Sequence, residues 1–488
     1  MILTTLLLLP GLGIAAILLL PKTAHDTIRR VATIATALTF AVSLAVLARF
    51  QPGLSGIQFA EHLSWIPQLN IFYHLGVDGL SLPMVVLTAL LGLLACLASW
   101  SIAERVKEYF VLYLLLEIGM LGTFLSLDLF LFYVFWEVVL VPMYFLIGIW
   151  GGGRREYSAF KFFVYTLSGS LFMLLAILAL YFHAHTFDML ALARMGHSFS
   201  PGFQQLLFLG FFLGFAIKVP IFPFHTWLPD AHVDAPTPIS VLLAGILLKM
   251  GGYGFFRISY PILPEGAQWF APAMAVLGTI NIVYGAFVAM AQTDFKKLVA
   301  YSSVSHMGFV LLGLASLTPE GMNGALLQMF NHGTITAGMF LLVGVLYDRA
   351  HTRQLDAFGG LGAKLPVYSA MLIFFSLASL GLPGLSGFVS EFLALVGTFP
   401  IHRVATIVSL IGIVVTAAYT LTVIQRILLG PLNEKWRALP DMTRRELVTV
   451  VPLLLIIVAV GVAPLLVLHL QDTSIHALLQ HLHGVPTS

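Results

Sequence analysis

The sequence predicts an all-α polytopic membrane protein with about fourteen transmembrane helices, arranged as two inverted five-helix repeats that each contain a broken helix. Three observations support this prediction. Of the 488 residues, 59% are hydrophobic and only 9% are charged, whereas soluble proteins carry about 25% charged residues. Apolar runs long enough to cross a bilayer recur along the chain. Two of these runs are interrupted by proline at comparable places.

Windows of about 20 residues place the predicted membrane spans along the chain. The first apolar run has no basic segment and no small-residue cleavage site, so we interpret it as a retained span rather than a signal peptide. The predicted spans are 1–20, 28–48, 80–101, 108–127, 129–150, 160–183, 205–226, 238–260, 269–291, 297–317, 321–347, 365–398, 404–429 and 447–469. The longest connection, 49–79, is predicted to be a short loop outside the membrane.

Spans 7 and 12 are the interrupted ones, with Pro220 and Pro223 in the first and Pro383 in the second. A proline frees a backbone carbonyl, which the membrane interior tolerates only where protein or water satisfies it. Each broken span is the fourth of five consecutive spans, and because five is odd the second set enters the membrane from the opposite face. Paired broken helices in inverted halves point to an ion site, although two ordinary proline kinks would give the same pattern.

The order of the spans divides the chain into four predicted regions. They are 1–107 with helices 1–3, 108–261 with the first repeat, 262–430 with the inverted second repeat, and 431–488 with helix 14 and a tail.

The basic residues predict the orientation of the chain. Most of the 24 lysines and arginines lie in loops that follow odd-numbered spans. The positive-inside rule puts these loops in the cytoplasm and both termini on the periplasmic side of a bacterial inner membrane.

Several chemical functions are excluded by composition. Cys96 is the only cysteine, so the chain has no internal disulfide, no cysteine-ligated iron–sulfur cluster and no CxxC zinc site. A net charge of +2 gives no reason to expect a nucleic-acid partner, and neither a P-loop nor a dinucleotide-binding glycine motif is present. We therefore expect no cofactor in this chain. A metal site at His225 and His232 is not favoured, because a proline-broken helix end gives no dependable ligand geometry.

Four ionisable residues lie well inside predicted spans: Glu137, Lys218, Lys249 and Glu391. Glu117 is a fifth candidate if span 4 is placed correctly. A charge at mid-bilayer costs about 2.5–3.5 kcal/mol on insertion scales, so these side chains should face partners or water. Buried ion pairs that only fix helix packing are the structural alternative. The number of charges, together with two broken helices, favours an ion path.

The signs of these charges suggest a proton switch. A carboxylate near a buried lysine favours the charged lysine, so moving the carboxylate changes the affinity of the lysine for its proton. We predict that Glu137 pairs with Lys218 and that separating them drives a proton off Lys218. Lys249 would relay it, and Glu391 would be the terminal carrier.

Histidines could extend this path, because their ordinary pKa lies near neutrality. His306 and His332 lie at mid-membrane depth, and His225 and His232 lie around the cytoplasmic end of span 7. Each could be a proton relay or a hydrogen-bonded core residue.

Long motifs in the chain resemble those of one family, the antiporter-like M subunit (chain 4) of the proton-pumping NADH:quinone oxidoreductase, respiratory complex I. They are FWEVVLVPMY at 135–144, HTWLPDAHVDAPT at 225–237, LLKMGGYG at 247–254, YSSVSHMG at 301–308 and FNHG at 330–333. The resemblance covers nearly the whole chain.

The resemblance implies a fourteen-helix subunit of the membrane arm that translocates protons while a remote module reduces quinone. It implies no cofactor in this chain, with flavin and iron–sulfur clusters in other subunits, and antiporter-like L and N subunits as neighbours. Glu137, Lys218, Lys249 and Glu391 match the positions regarded as the charged proton pathway of the family. His306 and His332 match histidines of its central hydrophilic axis. The L and N types resemble this chain too, but have lysine in place of Glu391.

Three alternatives remain at this point. An Mrp-type cation/proton antiporter subunit resembles the same fold, but would normally have lysine in place of Glu391. The equivalent subunit of a membrane-bound hydrogenase or ferredoxin-dependent complex is poorly distinguished by this chain. A structural scaffold would leave the buried lysines unexplained.

Overall fold

A computed structural model of the chain describes residues 1–484. Within this range, 13 helices are long and apolar enough to cross a membrane. They are Ile2–Leu19, His25–Arg49, Leu82–Ser101, Val106–Leu125, Leu129–Trp150, Arg155–Ala184, Pro201–Lys218, Thr237–Ile262, Pro264–Met290, Phe295–Ser316, Pro319–Ala350, Arg403–Leu428 and Arg444–Val462. Two shorter apolar helices, Pro366–Leu380 and Ser386–Thr398, occupy the predicted span 365–398. The predicted α-helical membrane fold is therefore confirmed.

Both predicted helix breaks are present. The seventh long helix ends at Lys218, and helix structure resumes only at Trp227–Asp234, after the segment that contains Pro220 and Pro223. The second break separates Leu380 from Ser386 and contains Pro383. Gly381 and Gly384 turn the chain there with φ of 85° and 91°, a backbone conformation that glycine adopts without steric cost.

The predicted loop 49–79 contains a β-hairpin that the sequence pattern did not indicate. Strands Gln58–Ile66 and Ile71–Val77 pair antiparallel, and Asn70 between them has a left-handed backbone with φ of 53°. Backbone hydrogen bonds between the strands satisfy polar groups that lie outside the helices. The hairpin is tied to the connection before helix Leu129–Trp150, because the Leu127 N–H donates to the His74 carbonyl.

The predicted C-terminal tail also contains a helix. The predicted span 447–469 is replaced by helix Arg444–Val462 and a separate helix, Leu465–Leu482. Pro464 lies between them and cannot continue the hydrogen bonding of the first helix.

Contacts between Cα atoms divide the chain into two compact units. Unit 1 comprises Met1–Val219, Ile246–Pro272 and, of the described residues, 469–484. Unit 2 comprises Pro220–Gly245 and Ala273–Leu468. The candidate residues Glu137, Lys218 and Lys249 belong to unit 1, while Glu391 and the four candidate histidines belong to unit 2. The four-region division and the inverted repeat stay predictions.

Within unit 2, helices Phe295–Ser316 and Pro319–Ala350 have nearly all of their side chains buried. The short helix Ser386–Thr398 contacts both of them. Its Thr398 hydroxyl donates to the Leu312 carbonyl over 3.0 Å, and the Asn331 amide donates to the Ser386 carbonyl over 2.7 Å. These bonds fix the helix half that carries Glu391.

Candidate functional site

Lys218 is the last residue of its helix in unit 1, and its side chain is only 2% exposed. Its ammonium nitrogen lies 5.1 Å from the centroid of the Trp136 ring and 5.8 Å from that of Phe162. The faces of aromatic rings carry negative charge density and attract cations. The two rings therefore stabilise a lysine cation where water is excluded.

Glu137 directly follows Trp136 and interacts electrostatically with Lys218. Within residues 1–484, no hydrogen bond or ion pair joins the two side chains, and the buried Glu137 Oε1 has no hydrogen-bond partner. The carboxylate therefore acts on the lysine through space without being locked to it. For the predicted switch to work, Glu137 and Lys218 must be able to move apart, and side chains that are not bonded to each other can do so. The switch itself stays a prediction.

Lys249 is fully buried in the helical segment Leu248–Gly254. Wider π-helical turns, Leu243–Leu247 and Phe255–Ser259, lie on either side of this segment. Such turns are frequent at functional sites, because they change the direction of side chains within a helix.

Gly251 allows the Lys249 segment to pack directly on the helix that ends at Lys218. A Cβ atom at Gly251 would lie 2.8 Å from the Phe215 carbonyl oxygen and 3.1 Å from the Lys218 Cβ. Both lysines are therefore carried by segments in close contact within unit 1.

Glu117, whose role the sequence left open, is fully buried in helix Val106–Leu125. Neither carboxylate oxygen has a hydrogen-bond partner within the described chain. Gly92 leaves room for this carboxylate, since a Cβ atom there would lie 2.5 Å from Glu117 Oε1. This helix is one of those long and apolar enough to cross a membrane, and a role for Glu117 in the path stays open.

The second cluster, in unit 2, joins His306 to Glu391. His306 Nδ1 lies 2.8 Å from Glu391 Oε1, and His306 Nε2 lies 3.1 Å from the Ser379 hydroxyl. Both side chains are buried, at 6% and 7% exposure. Because both ring nitrogens have partners, the imidazole can exchange a proton on either side.

Side chains that the sequence analysis missed hold Glu391 in place. The Gln328 amide donates to Glu391 Oε1 over 3.2 Å, and the Ser390 hydroxyl donates to Gln328 Oε1. Asn331 donates to the Ser390 hydroxyl over 3.0 Å. Gln328 could have been found, because it precedes His332 by four residues in an apolar helix and so shares its face.

Two adjoining cavities surround this cluster. One has a volume of about 10 Å³ and is lined by His306, Gln328, His332, Ser379 and Glu391, among others. The other, of about 20 Å³, is lined in part by Ser302, Ser376 and Tyr419. Ile335, Thr336 and Ser379 line both. A cavity needs about 10–15 Å³ of this kind to hold one water molecule, so each cavity has the size of a single water site.

The other candidate histidines lie among aromatic rings or beside the cluster. His332 has its ring centroid 5.8 Å from that of His306. His225 is 5.2 Å from the Tyr284 ring, and His232 stacks on Phe340 at 4.5 Å. The structure thus brings His306, His332 and Glu391 together, whereas the rings of His225 and His232 pack against aromatic residues.

The sequence of this chain is similar to those of known proteins. Residues 126–417 match the family model described as NADH:quinone oxidoreductase/Mrp antiporter, TM. NADH-quinone oxidoreductase subunit M of Rhodobacter capsulatus is 46% identical over 466 residues, covering 93% of this chain and 91% of that protein.

Chains in solved structures of membrane complexes have a fold similar to that of this chain. A chain of respiratory complex I from Thermus thermophilus with bound NADH is 33% identical, with a TM-score of 0.89, covering 98% of this chain and 100% of that one. A chain of the Mrp complex from Dietzia sp. DQ12-45-1b is 20% identical, with a TM-score of 0.85, covering 98% and 99%. At that identity the likeness to the Mrp chain concerns the fold alone.

Proposed function

The chain belongs to the subunit M family of the NADH-quinone oxidoreductases, and on that premise we propose that it translocates protons through its buried Glu, Lys and His side chains while a remote module reduces quinone. The observation that carries the proposal is the pair of buried clusters, Glu137 with Lys218 in unit 1 and His306 with Glu391 in unit 2. Ionisable groups inside a membrane protein are costly and mark ion or proton paths.

In unit 1, the proposed switch acts on Lys218. With Glu137 near, the ammonium is stabilised by the carboxylate as well as by the rings of Trp136 and Phe162. When the carboxylate moves away, the rings alone remain, and the lysine releases its proton more readily. We propose that Lys249 receives that proton, because the two lysines lie on segments in contact at Gly251.

In unit 2, the proposed terminal carrier is Glu391. A proton on His306 can pass to the carboxylate across 2.8 Å without movement of either side chain. His332 and the polar cavity beside it would supply or accept the next proton. We include His225 and His232 as proposed relays, supported only by their burial.

The redox cofactors belong to other parts of the complex in this proposal. Flavin and iron–sulfur clusters would be carried by other subunits, and antiporter-like subunits of the L and N types would be the neighbours. We further propose the bacterial inner membrane as the location, with both termini on the periplasmic side.

A cation/proton antiporter subunit of the Mrp type is the second candidate function. Its support is the shared fold. Glu391 argues against it, because the resemblance described above would place a lysine there in that class. The equivalent subunit of a hydrogenase or ferredoxin-dependent complex differs only in its electron donor, which NADH-driven activity tests directly.

The test is Glu137→Gln in inverted membrane vesicles, with NADH:quinone activity and acidification recorded together. Both should fall by about tenfold or more, since positioned proton-transfer groups contribute factors of that size. Glu434→Gln is the matched control, because Glu434 is exposed in the short 3-10 helix Glu434–Trp436 and pairs only with exposed Arg437 among the described residues, and it should leave both rates unchanged.

Two other results would change the assignment. Loss of sodium/proton exchange, with NADH oxidation and pumping intact, would favour the antiporter. Unchanged rates in a fully assembled Glu137→Gln complex would show that Glu137 is structural and that the switch is wrong.

A further inference from the structure

Three potential metal ligands meet outside the membrane helices of unit 1. His62 and His74 are directly opposite each other in the antiparallel hairpin, and their ring centroids are 4.6 Å apart at an interplanar angle of 78°. Asp188 lies in the connection that follows helix Arg155–Ala184. Its Oδ2 is 2.9 Å from His74 Nδ1.

We propose that His62, His74 and Asp188 form a binding site for a divalent transition-metal ion of the zinc class. One ligand atom from each residue lies within 4.8 Å of the others. Two ligands at about 2.0–2.1 Å from a tetrahedral zinc ion lie about 3.3 Å from each other. His74 and Asp188 are already near that separation, so only His62 has to move appreciably. Its side chain is exposed, and its ring centroid lies 4.5 Å from that of Phe72.

Two of the ligands are held in position by the fold. Asp188 Oδ1 accepts the Ala191 N–H over 2.8 Å, which leaves Oδ2 directed at His74. His74 is buried, and its carbonyl accepts the Leu127 N–H over 2.9 Å. Ligands fixed by hydrogen bonds to neighbouring groups lose less freedom when a metal binds.

The charge and chemistry of the group suit zinc. The Ala191 N–H binds Asp188 Oδ1, so Asp188 Oδ2 is the carboxylate oxygen that faces His74 and can bind a cation. Two imidazoles with one carboxylate are a ligand set that zinc accepts, with solvent completing the fourth position beside exposed His62.

Without a metal, the same contacts have a simpler role. The bond between His74 and Asp188 would then tie the hairpin to the connection after helix Arg155–Ala184. The hydrogen bond between His74 and Asp188 does not involve His62, whereas a metal site does. Replacing His62 therefore distinguishes a metal site from a purely structural contact.

The test is metal binding by the tag-free, full-length chain in detergent after treatment with EDTA. Titration with Co²⁺ should give the visible absorption of a low-coordinate site at one ion per chain, and Zn²⁺ should abolish it. His62→Gln should weaken binding at least about tenfold, the effect expected when a ligand or its supporting group is lost. His185→Asn removes a nearby exposed imidazole and should bind as the wild type does.

Thermal unfolding supplies a readout independent of colour. Zn²⁺ should raise the Tm of the wild type and of His185→Asn, because a ligand that binds only the folded chain stabilises it. It should not raise the Tm of His62→Gln at the same concentration. Equal affinity of the wild type and His62→Gln for Co²⁺, or no saturable binding by the wild type, would overturn the proposal.

Discussion

Lys218 is enclosed by the aromatic rings of Trp136 and Phe162, and within the described residues no ion pair fixes it to a carboxylate. Placing a charge at the bilayer centre costs about 2.5–3.5 kcal/mol on insertion scales. A desolvated cation–π contact returns up to about 2 kcal/mol, and this lysine has two, with Trp136 and Phe162. The cost of burying the charge and the gain from the two ring contacts are similar in size. A modest change in the electrostatic effect of Glu137 can therefore decide whether Lys218 keeps its proton.

Glu391 has direct hydrogen-bond partners in His306 and Gln328, and these contacts give a prediction. Glu391→Gln keeps the size of the side chain and its contacts with His306 and Gln328, but the amide cannot carry a proton. We expect proton pumping in vesicles to fall by about tenfold or more, with the complex still assembled.

The control is Glu320→Gln, at an exposed position at the start of helix Pro319–Ala350. Pumping and NADH oxidation should be unchanged in this variant. Normal pumping by Glu391→Gln would remove Glu391 from the path.

Among the helices, the close packing at Gly251 gives a second prediction. Gly251→Val would force side-chain atoms against the Phe215 carbonyl and Lys218. Overpacking of this kind costs about 1–3 kcal/mol. The Tm of the detergent-solubilised chain should fall, and NADH-driven pumping should fall with it because the lysine segments are pushed apart.

Gly202→Val is the matched substitution, since no atom lies within 4 Å of a Cβ atom at Gly202. Its Tm should stay close to that of the wild type. A Gly251→Val chain as stable as Gly202→Val would mean that the two segments are not tightly packed in solution.

The breaks in the helices could be predicted from sequence, whereas the surface elements could not. Proline removes a backbone donor, and Pro220 and Pro383 lie at the two breaks. Proline alone does not decide a break, because Pro142 lies inside the continuous helix Leu129–Trp150. The hairpin 58–77 has no regular alternation of apolar and polar residues. The helix Leu465–Leu482 follows an apolar helix so closely that a hydropathy window merges the two.

For the molecule as a whole, the distribution of basic residues predicts which loops face the cytoplasm. Cys96 is the only cysteine and is buried, so a single added cysteine can be labelled selectively. We expect Gly152→Cys to react with an impermeant maleimide only in inverted vesicles and Gly53→Cys only in right-side-out cells. Both glycines have open space around them. The opposite labelling would reverse the predicted orientation, and labelling of both from one side would contradict the span count.

The ionisable residues of the site could be chosen from sequence, because a charge in an apolar span is conspicuous. Their partners could not. His306 and Glu391 are 85 positions apart, and their contact depends on how helix Ser386–Thr398 is turned after the break. Likewise, no local pattern shows that Trp136 and Phe162 enclose Lys218. Such contacts are set by tertiary packing.

The π-helical turns on either side of Lys249 have a consequence for the length of the chain. Each such turn accommodates one residue more than the α-helical turn it replaces. Deleting one residue from Leu243–Leu247 would let that turn close as ordinary α-helix, with the flanking segments kept in phase. The number of residues between Pro236 and Lys249 can therefore vary by one while the lysine keeps its direction, so a single gap in an alignment at this point is compatible with an unchanged site.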